Sequence, residues 1–137
     1  MRVHGILETA LYVSDLDRSL GFYQDLFGFP KLSGDDRFRA LEVPGRQVLL
    51  LFRQGATREP IPLPNGGVIP PHDGTGELHL AFSIGGDEVA AWRGLLEQHG
   101  IVLEHEVAWP RGGTSLYFRD PDRHLVELAT PGLWWPG

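Results

Sequence analysis

The chain has 137 residues, 42% of them hydrophobic, which is enough for one domain with a substantial core. Its 12 basic and 18 acidic residues give a net charge of −6, so no basic field is present to hold nucleic acid or an anionic membrane, and a small neutral or metal-chelating ligand is the expected partner. The absence of cysteine removes disulfides, thiolate metal ligands and a cysteine nucleophile together.

Residues 6–13 alternate, with Leu7, Thr9, Leu11 and Val13 on one face and Glu8, Ala10 and Tyr12 on the other, which predicts a strand with one apolar side. Ser14 and Asp15 then offer N-caps, and Asp17 the acid of an S-x-x-D box. A helix follows, with Leu16, Leu20, Tyr23 and Phe27 at helical spacing and Gly28 as its stop. Strands are expected at 30–33, 37–43 and 47–52, the last two joined by a Pro44-Gly45 turn.

Residues 54–76 hold Pro60, Pro62, Pro64, Pro70, Pro71 and Asn65-Gly66-Gly67. Structureless loops of that length are uncommon inside small domains, so this segment reads as a connector between modules, with residues 68–72 edging a cavity. The earlier order then returns. Leu78, Leu80, Phe82 and Ile84 make the apolar face of a strand whose other face carries His79, Ala81 and Ser83. Asp87 is placed to cap a helix with Val89, Trp92 and Leu96 on its buried stripe and Gly100 at its end. Strands are expected at 102–108, 115–119 and 125–129, so both halves read βαβββ.

This repeat puts Glu8 and His79 at one register. Closing two copies around a pseudo-twofold axis would bring a carboxylate and an imidazole together over a shared cavity, an arrangement that suits a metal. Glu127 lies in the apolar run Leu125, Val126, Leu128, where an unpaired charge is costly to bury. It calls either for a metal or for an ion pair with Arg119 or Arg123. His79 has the competing reading of a half-buried strand histidine bonded to a neighbour, and Glu8 that of a strand-edge carboxylate reaching water. Ser83 and Ser115 lack a G-x-S-x-G setting, and no phosphate loop occurs.

The paired pattern opens with ETALYVSDLDRSLGFYQDLFGF, reopens with GELHLAF and closes with LYFRDPDRHLVEL. In this it resembles the vicinal oxygen chelate superfamily, the group of glyoxalase I, fosfomycin-resistance proteins, extradiol dioxygenases and bleomycin-binding proteins. The resemblance runs from about residue 5 to residue 131. It implies an α+β fold in which two βαβββ modules form a cupped mixed sheet. One domain then spans 1–137, with modules at 5–53 and 77–131, a linker at 54–76 and a Trp-rich tail at 132–137.

The resemblance further implies Glu8, His79 and Glu127 as ligands of a divalent Fe, Mn, Ni or Zn ion, with positions left open for two vicinal oxygens of a small-molecule substrate. Tyr117 matches the tyrosine of the extradiol signature and is the candidate catalytic hydrogen-bond donor. Two departures stand out. Leu50 falls where glyoxalase I has a fourth ligand, a Glu. Trp109, Pro110 and Arg111 stand where the extradiol signature has its His, and Arg123 replaces its Gly. The leading expectation is a metal-dependent lyase or oxygenase. The alternative is a metal-free, antibiotic-binding protein of the bleomycin-resistance type, favoured by Trp109, Trp134, Trp135 and the missing fourth ligand. The resemblance also implies a homodimer, with each site drawn from one chain or from two. Met1-Arg2-Val3-His4 has no signal-like apolar core and no apolar run reaches membrane-spanning length, so a cytoplasmic protein is expected.

Overall fold

Alternation in the strands decides which side of each sheet meets its helix. The computed structural model describes residues 1–135 and contains two compact units, one spanning Met1–Gly76 and one beginning at Glu77. Each has a mixed four-stranded sheet and one long helix.

The first unit runs β1 (Glu8–Val13), α1 (Leu16–Phe27), β2 (Lys31–Gly34), β3 (Phe38–Val43) and β4 (Gln47–Arg53), in the sheet order β1-β4-β3-β2. β1 lies parallel to β4, and the β2–β3 and β3–β4 pairs are antiparallel. Leu11, Val13, Leu41, Leu49 and Leu51 are all buried, and they share the sheet face packed against α1. The opposite face carries Glu8, Ala10 and Tyr12, beside Val48, Leu50 and Phe52.

α1 starts because Asp15 is extended and its carboxylate accepts the Arg18 amide N–H at 3.1 Å. Asp17, expected in a capping box, instead takes the Arg39 guanidinium of β3 at 3.0 Å and fastens the helix to the sheet. The buried stripe is Leu16, Ser19, Tyr23 and Leu26, whereas Leu20 and Phe27 are half-buried. Small Ser19 lets the helix approach the sheet closely, and Phe27 moves to the stripe's border, where it stacks on Phe29 with ring centroids 5.0 Å apart. Gly28, at φ 72°, ends the helix in the left-handed conformation and donates its N–H to the Gln24 carbonyl.

The Pro/Gly-rich segment is more ordered than its composition suggests. It contains a small antiparallel pair, β5 (Ile61–Pro62) with β6 (Val68–Ile69), whose turn is held by Asn65 accepting the Gly67 N–H at 3.0 Å. Farther on, His72 and Thr57 are joined by two hydrogen bonds.

In the second unit the sequence is β7 (His79–Ser83), a 3-10 turn at Gly86–Glu88, α2 (Val89–Gln98), β8 (His105–Ala108), β9 (Thr114–Arg119) and β10 (Leu125–Ala129). Its sheet order β7-β10-β9-β8 repeats the first unit's, with β7 parallel to β10. Asp87 lies inside the short turn, and Glu88 does the capping, its carboxylate accepting the Gly85 N–H at 2.8 Å. α2 buries Val89 and Leu96 and leaves Trp92 half-buried. β8 begins at His105, later than the apolar residues alone suggest; Val102 is 79% exposed and has no face to cover.

The chain then turns through Pro131–Leu133 into the exposed Trp134 and Trp135; Pro136 and Gly137, the last residues of the expected tail, lie outside the described residues. Among the described residues no helix is long and apolar enough to cross a membrane.

Gly113 links the β8–β9 turn to this C-terminal turn. Its φ is +90°, and a Cβ there would stand 2.6 Å from the Leu133 amide nitrogen and 3.0 Å from the Thr130 hydroxyl. Gly113→Ala should therefore lower stability by about 1–3 kcal/mol through backbone strain and the clash together. In urea unfolding the midpoint should drop with the slope unchanged; an unaltered midpoint would show that the turn is not held there.

Candidate functional site

Glu127 is a buried acidic side chain of the second unit. It projects from β10 on the face opposite α2 and is only 6% exposed. An ionised carboxylate so placed needs strong partners. Arg119 and Arg123 do not supply them, because both are engaged at the sheet's edge: Arg119 with Glu104 at 3.1 Å and Glu77 at 3.5 Å, Arg123 with Glu77 at 3.0 Å. The Ser115 hydroxyl of β9 instead donates to Glu127 Oε2 at 2.5 Å, and Ser115 Oγ itself accepts the Trp109 indole N–H at 2.8 Å. Ser115 is fully buried, so this chain of donors is shielded from water.

The other carboxylate oxygen, Oε1, faces His79 Nε2 at 3.2 Å. His79 stands at the start of β7, and its ring Nδ1 lies 2.9 Å from the Leu125 carbonyl oxygen. A carbonyl can only accept, so Nδ1 carries a proton. A neutral imidazole then turns the Nε2 lone pair toward the lone pairs of Glu127, and that juxtaposition needs a cation or a proton between the two. It is the outer-shell pattern that orients a metal-ligating histidine. A nitrogen and an oxygen bound to one ion at roughly 2.1 Å each stand roughly 3 Å apart at a right angle, so the spacing of the pair fits a metal. Half the His79 side chain is exposed, which leaves access from solvent.

Tyr117 pairs directly opposite Glu127 in the β9–β10 register. Burial raises its phenol above the ordinary tyrosine pKa; a hydrogen bond with Ser115 offsets part of this, and the charge of Glu127 adds to it. The phenol thus remains an O–H donor at neutral pH. His124, by contrast, is a core residue: it is fully buried and its Nδ1 accepts the Leu78 N–H at 2.9 Å, pinning the chain immediately before His79. Asp120 holds the preceding turn by accepting the amides of Asp122 and His124.

The first unit carries Glu8 on an equivalent register. Glu127 faces Ala81, two residues after His79; Leu50 faces Ala10, two residues after Glu8. Leu50 therefore occupies the first unit's counterpart of the Glu127 position. Glu8 and Leu50 line a 350 Å³ cavity together with Phe38, Phe52, Ile69 and His72. Within either unit, among the described residues, no three His, Asp or Glu side chains gather as a complete metal site.

Sequence reasoning weighed Ser115 only as a nucleophile, counted Trp109 as a ligand-binding aromatic and set residues 68–72 at a cavity edge, where Ile69, Pro70 and His72 do lie; it missed the Trp109–Ser115–Glu127 chain and the Tyr12–His72 contact. Ser115 had a signal, since it lies two residues before Tyr117 on a strand and so shares its face. Trp109 and His72 sit on turns and loops, where no periodicity reports direction.

A family profile described as Glyoxalase/Bleomycin resistance protein/Dioxygenase superfamily matches residues 5–128. The lactoylglutathione lyase of Haemophilus influenzae is 34% identical over 129 residues, covering 90% of each chain. A catechol-2,3-dioxygenase of Bacillus subtilis is 30% identical over 122 residues, 86% of this chain; the chain spans only 38% of that protein's length. The crystal structure of a lactoylglutathione lyase from Agrobacterium tumefaciens superimposes with a TM-score of 0.88 at 34% identity, covering 98% of both chains.

Ser115→Ala should cost about 1–3 kcal/mol, because it leaves the buried Glu127 oxygen and the Trp109 N–H without their shared partner. Thermal unfolding reads the loss. In a phenolate absorbance titration, Tyr117→Phe should remove a step lying to the alkaline side of pH 10.0, since burial favours the neutral phenol. Removal of a step at or below that value would contradict the assigned environment.

Proposed function

The chain belongs to the Glyoxalase/Bleomycin resistance protein/Dioxygenase superfamily, and on that footing we propose that it is a metal-dependent enzyme that takes a small molecule through two adjacent oxygens, by lyase rather than oxygenase chemistry. The observation that carries this reading is the His79–Glu127 pair, with Nδ1–H tied to the Leu125 carbonyl and Nε2 turned on a buried carboxylate. His79 and Glu127 hold the ion, and Glu8 is the third ligand, from the same chain or from the second copy of a homodimer. A divalent ion there, one of Fe, Mn, Ni or Zn, supplies Lewis-acid polarisation of the substrate's paired oxygens.

The chain's own residues do the rest. Ser115 and Trp109 fix the Glu127 carboxylate in one orientation, so little reorganisation is required as charge develops. Tyr117, held as a phenol, donates a hydrogen bond to a substrate oxygen. Lyase chemistry ranks first for two reasons. The two lyases match this chain over nearly their whole length, and the histidine of the extradiol signature is replaced by Trp109, Pro110 and Arg111.

A second reading, a metal-free protein binding a planar antibiotic, has one observation in its favour. Trp134 and Trp135 are exposed and border a 220 Å³ hollow with Ala129 and Thr130. Trp109 does not belong to that hollow; its N–H is engaged by Ser115.

Elemental analysis of purified protein separates the two. About one equivalent of divalent metal per chain is expected, lost in Glu127→Ala and His79→Ala, with formation of lactoylglutathione following the metal content. If both variants keep the wild-type metal content, the proposed ligands are wrong. A metal-free protein whose tryptophan fluorescence is quenched by a planar antibiotic would place the second reading first.

A further inference from the structure

We propose that His72 recognises the ligand: with Nδ1 held by Tyr12, its Nε2–H donates to an oxygen of a flat, uncharged aromatic molecule seated in the first unit's cavity. It goes beyond the preceding reading and does not depend on it, since the cavity lies wholly within the first unit.

His72 lies in a proline-flanked loop, yet it is fixed on several sides. Its backbone N–H donates to the Thr57 carbonyl at 2.9 Å, and its own carbonyl accepts the Thr57 hydroxyl at 2.6 Å; Thr57 is 4% exposed. The ring meets Phe52 edge-on, with centroids 4.6 Å apart and planes at 73°. Tyr12 Oη lies 2.7 Å from Nδ1. A Cβ at Gly74 would overlap the Tyr12 ring, so the chain after His72 presses on that ring as only glycine allows. Asp73 is turned to Arg58, 3.0 Å away. A solvated loop histidine has none of these restraints.

The restraint has a chemical consequence. Burial, and next the charge of Asp73, keep the Tyr12 phenol above its ordinary pKa, so it remains an O–H donor. Where that O–H donates to Nδ1, a neutral imidazole carries its proton on Nε2. Nε2 meets no protein acceptor among the described residues, while the imidazole lines the cavity. The donor is set before any ligand arrives.

Size and lining indicate what it selects. At 350 Å³ the cavity lies at the small end of ligand sites, and Phe38, Leu50, Phe52 and Ile69 give it walls for a ring. Arg37, its one cationic side chain, is paired with Asp35 at 2.8 Å, while the carboxylates of Glu8 and Glu59 also line it. This charge balance disfavours an anion. An aromatic ketone fits both the walls and the imidazole donor.

The test titrates chelator-treated, full-length protein with 4-hydroxyacetophenone, 4-ethylphenol, which lacks the acceptor, and 4-hydroxybenzoate, which is anionic. Imidazole ¹H–¹⁵N spectra report the His72 tautomer. Expected are an Nε2–H tautomer before ligand, a shift of the His72 resonances with the ketone, and ketone binding about tenfold tighter than that of 4-ethylphenol. His72→Phe, folded by circular dichroism, should erase that preference. His72→Gln, which keeps a donor, should restore part of it and covers the case in which the Phe variant fails to fold. An Nδ1–H tautomer, equal binding of ketone and ethylphenol, or a ketone preference surviving in His72→Phe would overturn the proposal. Because the protein is metal-free here, a failed metal assay leaves this test standing, and the reverse holds too.

Discussion

A carboxylate buried on a sheet face is the constraint around which the second unit is arranged. Glu127 sits between Val126 and Leu128, both of them fully buried on the helix side, so its strand cannot rotate to release it. Its charge must be met where it stands. A buried serine backed by an indole N–H meets one oxygen, and an imidazole meets the other. The imidazole is in turn oriented by the Leu125 carbonyl, two residues before Glu127 on β10. Each contact answers a demand created by burying that one group, and together they leave a nitrogen lone pair and a carboxylate aimed at the same point.

The two units show how one backbone plan carries two kinds of surface. Equivalent registers place Glu8 with His79, and Leu50 with Glu127. Where the second unit has a buried acid with polar support, the first has leucine and a ring-lined cavity closed by its own Pro/Gly-rich segment. Arginines that would otherwise compete for the acids are engaged at the edges: Arg119 and Arg123 with Glu77, Arg39 with Asp17 and Arg37 with Asp35. Such exposed pairs contribute little stability each.

Much of the site could be read from the chain because strand residues alternate. That rule assigned Glu8, Ala10 and Tyr12 to one face and put His79 at the register of Glu8. His124, three residues before Glu127, is a buried anchor for the start of β7 rather than a ligand. Helix phase was read less well. Leu16 and Tyr23 are buried as expected, but Ser19 and Leu26 complete the stripe in place of Leu20 and Phe27, because close approach to a sheet favours a small residue over the more apolar one.

By itself the sequence determined the repeat, the order of elements, the apolar faces and the candidate acids and histidine, since these follow from local periodicity and from the cost of burying charge. Tertiary structure decided the partners. Whether Glu127 would take an arginine or a histidine, whether Trp109 would face a ligand or a serine, and whether His72 would be loose or clamped all depend on which distant residues meet. Hydrogen bonds between Ser115 and Glu127, or between Tyr12 and His72, join residues 12 and 60 positions apart, and no local pattern along the chain encodes such a meeting.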